Sequence, residues 1–213
     1  MTTKEDIIVL AKAIPAISPV HGEITCVAGI GPDNKWRRLY PVPTRLLGQS
    51  YFMKFDIVRV EIDQWKGQHP RPEDRWLVKY MGKIGSVGKV GNKVDWKPRR
   101  SLILNFLDKS VKDILSSGRS LGIVKPEILD FYKDDNGRCR YKFKDTDQSQ
   151  YDLVCREWEA TALDKKYSNN FLKVRQKFLD WMQKRDMYFV IGTTAGTDPT
   201  KMIVAVLYPP KLP

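Results

Sequence analysis

The chain has 213 residues and a formal net charge of +12, from 37 basic and 25 acidic side chains. Hydrophobic residues make up 42% of it and aromatic residues 11%, which excludes a wholly disordered chain and predicts one large domain or two small ones. No apolar run approaches the roughly 20 residues of a membrane helix, and the start MTTKEDIIVL lacks the apolar stretch of a secretory signal. We therefore expect a cytoplasmic protein.

The positive charge is concentrated in residues 75–125, where twelve basic residues stand against three acidic ones. A local surplus of this kind attracts polyanions and speeds their encounter with the protein. Nucleic acid is the polyanion that we expect, because no amphipathic basic helix and no lipidation motif indicates a membrane. The alternative is that these side chains only keep the protein soluble.

The first half of the chain reads as short strands separated by turns. Residues 6–12 (DIIVLAK) and 23–30 (EITCVAGI) are rich in β-branched residues, and the turn GPDNK joins the second run to 36–40 (WRRLY), which predicts a hairpin. Residues 55–62 (FDIVRVEI) alternate with period two, and 76–81 (WLVKYM) is a further strand candidate. This spacing predicts a small β-barrel over the first 98 residues, of the oligonucleotide-binding (OB) type or of another small-barrel class.

A glycine-rich basic segment, GKIGSVGKVGN at residues 82–92, follows the predicted barrel. We expect a mobile loop in which glycines let the backbone approach phosphates, or else only a flexible hairpin tip. The run KPRR then changes the pattern, and we place a domain boundary at residue 98.

Residues 99–213 mix helices and strands, so that the fold class of the whole chain is predicted to be α+β. Residues 101–115 have helical spacing that Asn105 and Asp108 interrupt, and residues 138–145 (RCRYKFKD) alternate as a half-exposed strand does. The clearest helix spans 169–184, and the last two apolar runs, MYFVIG and KMIVAVLY, predict a buried terminal hairpin.

Three basic motifs are candidates for binding nucleic acid. WRRLY interleaves aromatic rings, which stack on unpaired bases, with arginines, which bind phosphate, provided that its Arg38 face is exposed. RPEDR indicates either an arginine fork on phosphate or a self-paired loop, and RCRYKFK presents a basic strand face. With the glycine-rich segment, the predicted contacts are Trp36, Arg37, Arg38, Tyr40, Arg71, Arg75, Lys83, Lys89, Lys93, Lys97, Arg99, Arg100, Arg138, Arg140 and Lys142.

Catalytic chemistry has weaker support in the sequence. Two histidines and three dispersed cysteines do not form a zinc motif, so we expect neither a metal nor a cofactor. Glu157 and Glu159 are the best carboxylate pair for a metal-dependent nuclease, with Asp152, Asp164 and Lys165 close in sequence. Such spacing is common by chance, and solvated surface acids explain it well. A protein–protein adaptor that docks through its terminal hairpin and YPPK tail is the third hypothesis.

Several sequence segments together resemble those of a known family. GEITCVAGIGPDNKWRRLYPVP, FDIVRVEI, HPRPEDR, SLGIVKP, REWEA and the ending YFVIGT with MIVAVLYPPK are similar to an uncharacterised bacterial family described as containing two OB-like barrels. The resemblance covers most of the chain in order, and it implies no catalytic residues. It implies a non-catalytic protein that binds RNA or single-stranded DNA, as an accessory subunit of a larger nucleoprotein or phage-defence complex with a protein partner.

Overall fold

A computed structural model describes residues 2–47, 51–67, 70–78, 84–92, 94–160 and 171–211, with the side chains of the last range described from residue 175 onward. The chain forms two compact units. The first, the barrel unit, comprises Met1–Arg99 with Ala195–Asp198, and the second comprises Arg100–Thr194 with Pro199–Pro213.

The barrel unit consists mainly of strands joined by short turns. Its 3₁₀ turn, Thr44–Leu47, follows directly on the fourth strand. The strands are β1 (Thr3–Lys12), β2 (Ala16–Ser18), β3 (Gly22–Ile30), β4 (Trp36–Pro43), β5 (Asp56–Gln64), β6 (Asp74–Leu77) and β7 (Ser86–Lys89).

Five of these strands close into a barrel. The sheet runs β1-β3-β4-β6-β5, and β5 pairs with β1 again, so the ladder of backbone hydrogen bonds is continuous. Among the strand pairs of the barrel unit that the structure describes, β4–β6 is parallel and the others are antiparallel. Strand β2 is added to β3, and β7 to β5. The predicted β3–β4 hairpin is present, and the prediction of a small barrel is confirmed at the level of a closed five-stranded sheet, which is compatible with an OB-like fold.

The barrel interior is filled by the alternate residues of its strands. On β5 the side chains of Val58, Val60 and Ile62 are at most 4% exposed, as the period of two predicts. The β1–β3 pair closes tightly at Gly29, where a Cβ atom would lie 2.2 Å from the carbonyl oxygen of Ile8. A glycine is therefore required for these two backbones to approach each other.

The glycine-rich segment differs from the prediction. Ser86–Lys89 is strand β7, antiparallel to β5, and is not a mobile loop. The pairing was hidden because glycine and serine carry little strand propensity, so the neighbouring edge of β5 decides the conformation. Lys83 and Lys93, both predicted contacts, lie outside the described residues.

The second unit contains two three-stranded antiparallel sheets and the described helices. One sheet has the order β11-β10-β9, the other β13-β12-β8, and an isolated parallel bridge between Cys155 and Ile203 joins them. Helix α1 (Lys97–Asn105) begins in the barrel unit. The remaining elements are α2 (Val111–Ser116), β8 (Leu121–Val124), β9 (Glu127–Lys133), β10 (Cys139–Lys144), β11 (Gln150–Val154), α3 (Phe171–Gln183), β12 (Tyr188–Thr193) and β13 (Lys201–Leu207).

The core of this unit lies among the two sheets, α2 and α3. The terminal hairpin β12–β13 is buried as predicted, with Phe189, Val190 and Ile191 all 0% exposed. Helix α3 buries Met182, while the indole of Trp181 is 36% exposed. Within the described part of the chain, no helix is long and apolar enough to cross a membrane.

Candidate functional site

Four half-buried aromatic side chains of the barrel unit are in mutual contact, and we call them the aromatic cluster: His21, Tyr40, Trp65 and Trp76. The ring centroids of Tyr40 and Trp65 are 5.5 Å apart, those of Tyr40 and Trp76 5.9 Å, and those of Trp65 and Trp76 5.7 Å. The ring of His21 lies 5.6 Å from that of Trp76. Their tilted and edge-to-face angles are those that aromatic pairs prefer, so the rings support one another.

Strand pairing brings these rings together from distant parts of the sequence. Tyr40 on β4 and Trp76 on β6 are register partners in the parallel pair. Trp65 directly follows β5, whose last residue, Gln64, pairs with Arg75 on β6. Because neighbouring strands lie about 4.8 Å apart, the three rings must meet at this end of the barrel.

The turn before β6 is built by the RPEDR motif. The carboxylate of Asp74 accepts the backbone N–H of Arg71 at 3.0 Å, and its Oδ2 lies 2.9 Å from Nε of the same arginine. Asp74 returns its own N–H to the carbonyl of Arg71. The motif was predicted to be either an arginine fork for phosphate or a self-paired loop, and Arg71 is self-paired within the loop.

Arg75 has a different environment. Its Nη1 donates to the carbonyl oxygens of Pro72 at 3.0 Å and Asp74 at 2.8 Å, so backbone hydrogen bonds hold the guanidinium in place. Within the described residues, no carboxylate pairs with it. Arg75 therefore presents a positioned and un-neutralised positive charge.

An open cavity of about 630 Å³ lies beside the aromatic cluster. Trp65 contributes to its wall from the cluster, and Arg71 and Arg75 contribute two guanidinium groups. Its volume falls in the range of about 300–1,000 Å³ that is common for ligand pockets. Asp63 and Asp74 also line this cavity, and Asp74 neutralises Arg71. The indole ring of Trp65 with the guanidinium of Arg75 therefore suits a ligand that carries both a planar ring and an anionic group.

Beneath this turn, Asp74 is shared between two arginines. Its carboxylate is fully buried and lies 3.3 Å from Nε of Arg38 as well as 2.9 Å from Nε of Arg71. Burial, and then the nearby charge of Arg71, lower the pKa of Arg38. The buried carboxylate acts in the opposite direction to both effects. Asp74 thereby holds β4 and the β6 turn together.

The structure corrects the WRRLY hypothesis. Trp36, Arg37 and Arg38 are each 5% exposed, so the face that was required to be open is buried. Arg37 pairs with Glu5, Nε to Oε2 at 2.8 Å, and also with Asp33. Strand β4 pairs with β3 on one edge and with β6 on the other, and nearly all of its side chains are buried. Carboxylates neutralise the charges of its two arginines. Only Tyr40, at the end of this motif, reaches the aromatic cluster.

The predicted nucleic-acid contacts in residues 89–99 also differ in exposure: two lysines are exposed and one arginine is buried. Lys89 is exposed, and its Nζ lies 3.1 Å from Oδ1 of the buried Asp56, whereas Lys97 is exposed at the start of α1. The prediction that Arg99 contacts nucleic acid is corrected, because this side chain is only 6% exposed. Its guanidinium lies 4.8 Å from the ring centre of Phe55, and its Nε donates to the carbonyl oxygen of Val90.

Arg100, in the second unit, is half-buried and forms an ion pair with Asp186. It also donates a hydrogen bond to the carbonyl oxygen of Pro210. Its charge is therefore neutralised within this unit. Replacing Arg99 and Arg100 by acidic residues would disrupt these packed contacts, so a loss of nucleic-acid binding in that variant would not identify a binding surface.

Strand β10 has the alternation that RCRYKFK predicts, with Arg140, Lys142 and Lys144 facing away from the core. Acids of the neighbouring segments neutralise part of this face. Arg140 Nε lies 2.8 Å from Oδ1 of Asp152, and Arg138 pairs with Asp134. Lys142 lies over the ring of Tyr132 and, within the described residues, forms no ion pair.

Glu157 and Glu159 do not form an exposed strand pair. Glu157 is 3% exposed, Glu159 is half-buried, and residues 158–160 are helical, so the two carboxylates are not arranged by strand alternation. Asp164 and Lys165 lie outside the described residues. Among the residues that are described, no three His, Cys, Asp or Glu side chains form a group that could hold a metal ion.

Sequence reasoning missed Trp65, Trp76 and His21 as site residues. The β4–β6 pairing that places Trp76 beside Tyr40 joins residues 36 positions apart and is parallel, which no local pattern reveals. The available signal was the position of Trp65 at the polar end of an alternating strand, where an aromatic ring is less often core.

The comparisons with known proteins give one family match, over the barrel sequence, and a likeness to solved structures. Residues 3–105 match the family described as Domain of unknown function (DUF8758). No curated protein matches the chain. Among solved structures, the chain is similar to one titled "Crystal structure of the tetrameric p202 HIN2", with a TM-score of 0.36 and 9% identity, over 100% of this chain and 92% of that one. The chain is thus similar, from β1 through α1, to a family of unknown function.

Proposed function

We propose that the protein binds single-stranded nucleic acid at the aromatic cluster and the cavity beside it. The observation that carries this proposal is the mutual contact of three half-buried rings, Tyr40, Trp65 and Trp76, at the edge of a cavity. Trp65 lines this cavity together with the un-neutralised Arg75. Aromatic rings held at a surface stack on bases, and an arginine beside them binds the phosphate that follows each base.

Single strands are favoured over a duplex because stacking requires an accessible base face. In a duplex both faces of each base are covered by its neighbours, so only ends, loops and unpaired strands offer one. The rings lie 5.5–5.9 Å apart and in contact, which leaves no slot between them. Bases therefore stack on the outer ring faces, with Trp65 on the cavity side. Either RNA or single-stranded DNA fits this chemistry.

The basic side chains that remain exposed extend the same interface within the barrel unit. Lys66 follows Trp65 directly and is 58% exposed, with Nζ 3.5 Å from Oδ2 of Asp63. Lys4 on β1 is 72% exposed and lies 3.6 Å from Glu61. Such loosely held surface lysines exchange their carboxylate partners for phosphate at little cost.

The experiment is fluorescence anisotropy with labelled single-stranded RNA, single-stranded DNA and duplex DNA, on protein freed of nucleic acid. Trp65→Ala is expected to weaken single-strand binding by about 5- to 150-fold, the equivalent of ~1–3 kcal/mol per stacked base. Trp65→Phe is expected to restore most of the affinity. Trp181→Ala, which removes the 36% exposed indole of the second unit, is the matched control and should bind as wild type.

A second pair of variants tests the phosphate contact. Arg75→Ala should weaken binding to every sequence, whereas Arg59→Ala should not. Arg59 is a barrel arginine with a 61% exposed side chain, and it pairs with Asp6 on the outside of β5. If Trp65→Ala and Arg75→Ala both bind single strands as wild type does while remaining folded, the proposed interface is refuted.

The same proposal includes an accessory role in a larger complex. Its support is strand β2 and the turn after it, which lead to His21 of the aromatic cluster: Ile17 on β2 is 87% exposed and Val20 in the turn is 80% exposed. Exposed apolar side chains beside a binding surface are typical of protein contacts. Replacing both by serine should abolish co-purification of a protein partner at high salt, and unchanged co-purification would remove this support.

A further inference from the structure

The barrel unit contains another open cavity, of about 450 Å³, which shares no lining residue with the cavity beside the aromatic cluster. Its volume is also in the range that is common for ligand pockets. Within the described part of the chain, three basic side chains and no acidic one line it. The lining residues are Met53, Lys54, Lys89, Asn92, Val94 and Arg99.

The guanidinium of Arg99 is held in one orientation on the wall of this cavity. Its central carbon lies 4.8 Å from the ring centre of Phe55 and 5.2 Å from that of Trp96. The two rings are nearly perpendicular, at 80°, so the guanidinium packs against both of them. Its Nε donates to the carbonyl oxygen of Val90 at 2.8 Å. Because these contacts already fix the side chain, a ligand that binds to it loses little affinity to side-chain ordering.

The positive charge of Arg99 has no anionic partner in direct contact among the described residues. Its Nη atoms form neither an ion pair nor a hydrogen bond with them. Burial lowers the pKa of Arg99, and the carboxylate of Asp56 acts in the opposite direction. That carboxylate is already paired, because its Oδ1 lies 3.1 Å from Nζ of Lys89 and its Oδ2 accepts the N–H of Met53. A bound anion in the cavity would therefore supply the partner that this guanidinium lacks.

The other polar side chains of the lining also offer donors. Oδ1 of Asn92 accepts the backbone N–H groups of Val94 at 2.8 Å and of Asp95 at 2.7 Å. This orients the amide and leaves its Nδ2 group to donate. The ammonium groups of Lys54 and Lys89 have donors only. The lining is thus matched to a ligand whose polar atoms are all acceptors.

We propose that this cavity binds the phosphate group of a phosphomonoester. Such a group carries a charge of about −1.5 to −2 at neutral pH and has three strong acceptor oxygens, and a guanidinium binds it through paired hydrogen bonds. A phosphate within a continuous strand has a substituent on both sides, and Arg99, at 6% exposure, is too buried to meet it. A monoester has one substituent, so its phosphate can enter the cavity. The apolar side chains of Met53 and Val94 are then available to contact that substituent.

The test is isothermal titration calorimetry of the full chain, freed of nucleic acid, with ribose 5-phosphate, inorganic phosphate and ribose at constant ionic strength. We expect saturable binding of the two phosphates and none of ribose. A short single strand with and without a 5′-phosphate distinguishes the sources of the monoester. If the 5′-phosphate tightens binding of the strand, the monoester is a strand end, and if it does not, the monoester is a small molecule.

Two variants identify the cavity as the place of binding. Asn92→Asp keeps the oxygen that accepts the backbone N–H groups but replaces the donor amide by a negative oxygen, so it should weaken phosphate binding by about tenfold or more. Asn34→Asp, at an exposed position of the β3–β4 turn, makes the same change of charge and should bind as wild type.

Lys54→Gln should weaken binding by about threefold, and the matched control is the exposed Lys35→Gln in the β3–β4 turn. This second pair decides the question if Asn92→Asp does not fold, which circular dichroism would reveal. Phosphate binding that is absent from the wild type, or that is unaffected by the folded cavity variants, would overturn the site.

Discussion

Five arginines of the barrel unit fall into two groups that differ in burial. Arg37, Arg38 and Arg99 are at most 6% exposed and are compensated by carboxylates, rings or carbonyls. Arg59 and Arg75 retain access to solvent. A guanidinium that is removed from water stays charged only if its partners replace the lost hydration. The buried group therefore stabilises the barrel, and Arg75 is left for ligands.

The Arg38–Asp74 pair provides a test of this division. Asp74→Asn leaves Arg38 buried without its carboxylate, and we expect the free energy of unfolding to fall by ~3–5 kcal/mol. Urea denaturation followed by tryptophan fluorescence measures this change. Asp6→Asn, which breaks the exposed Arg59–Asp6 pair, should have little effect. Equal losses in the two variants would show that Arg38 does not depend on Asp74.

At the level of elements, the β9–β10–β11 sheet carries a network of alternating charges on its outer face. Tyr132 donates to Oδ2 of Asp152 at 2.6 Å, and Arg140 Nε lies 2.8 Å from Oδ1 of the same carboxylate. Arg138 pairs with Asp134 at 2.8 Å. Because strand pairing sets these groups opposite one another, the face that looks basic in the sequence is largely balanced in the sheet.

This network makes the second unit sensitive to acid. Burial opposes the effect at Asp152, but the hydrogen bonds from Tyr132 and Arg140 lower its pKa, and the hydrogen bond from Arg138 lowers that of Asp134. The unfolded chain then binds protons more readily than the folded one. The stability that these groups contribute is therefore present above the ordinary aspartate pKa of about 3.9 and is lost as pH falls below it.

Asp152→Asn is accordingly expected to lower stability at neutral pH and to converge with wild type under acid conditions. Urea unfolding at neutral pH and at about pH 3, below the ordinary aspartate pKa, measures both differences. Asp180→Asn on α3 is the control, since this exposed carboxylate accepts a hydrogen bond from Gln176 on the surface of the same helix. A difference between Asp152→Asn and wild type that persists unchanged in acid would contradict the role of this carboxylate.

For the whole molecule, the net charge of +12 is not equivalent to a basic surface. Cations of residues 75–125 pair with acids from other parts of the chain, namely Lys89 with Asp56, Lys112 with Asp147, and Arg100 with Asp186. The remaining surplus attracts polyanions over long range and without sequence preference. Stacking at the aromatic cluster is a separate contribution and depends little on salt.

A salt series separates the two contributions. In a plot of log affinity against log salt concentration, Arg75→Ala should reduce the steepness of the slope by about 0.7, the value for one phosphate contact of a single strand. Trp65→Ala should lower affinity by a similar factor at every salt concentration and leave the slope unchanged. A slope that changes equally in both variants would mean that Trp65 acts only by positioning charge.

The sequence by itself determined the local elements of this protein. Local sequence patterns predict the period-two alternation of β5, the β3–β4 hairpin with its GPDNK turn, the interrupted helical segment 101–115 and the apolar terminal strands. The structure contains each of them, with the first helix beginning earlier, at Lys97. The closed barrel could be predicted as a class for the same reason. The RPEDR motif was also readable as a self-paired loop, since its partners are three residues apart.

Only the tertiary structure decided which of these side chains remain accessible. Trp36 and Arg38 are buried because β4 lies between two barrel strands, whereas Tyr40, two positions further, meets Trp65 and Trp76 at the strand ends. These contacts span 25 and 36 residues, and a one-residue change of register would reverse which faces are buried. Burial and charge balance are properties of the packed sheet. The candidate site therefore depends on long-range strand pairing, which cannot be predicted from local sequence patterns.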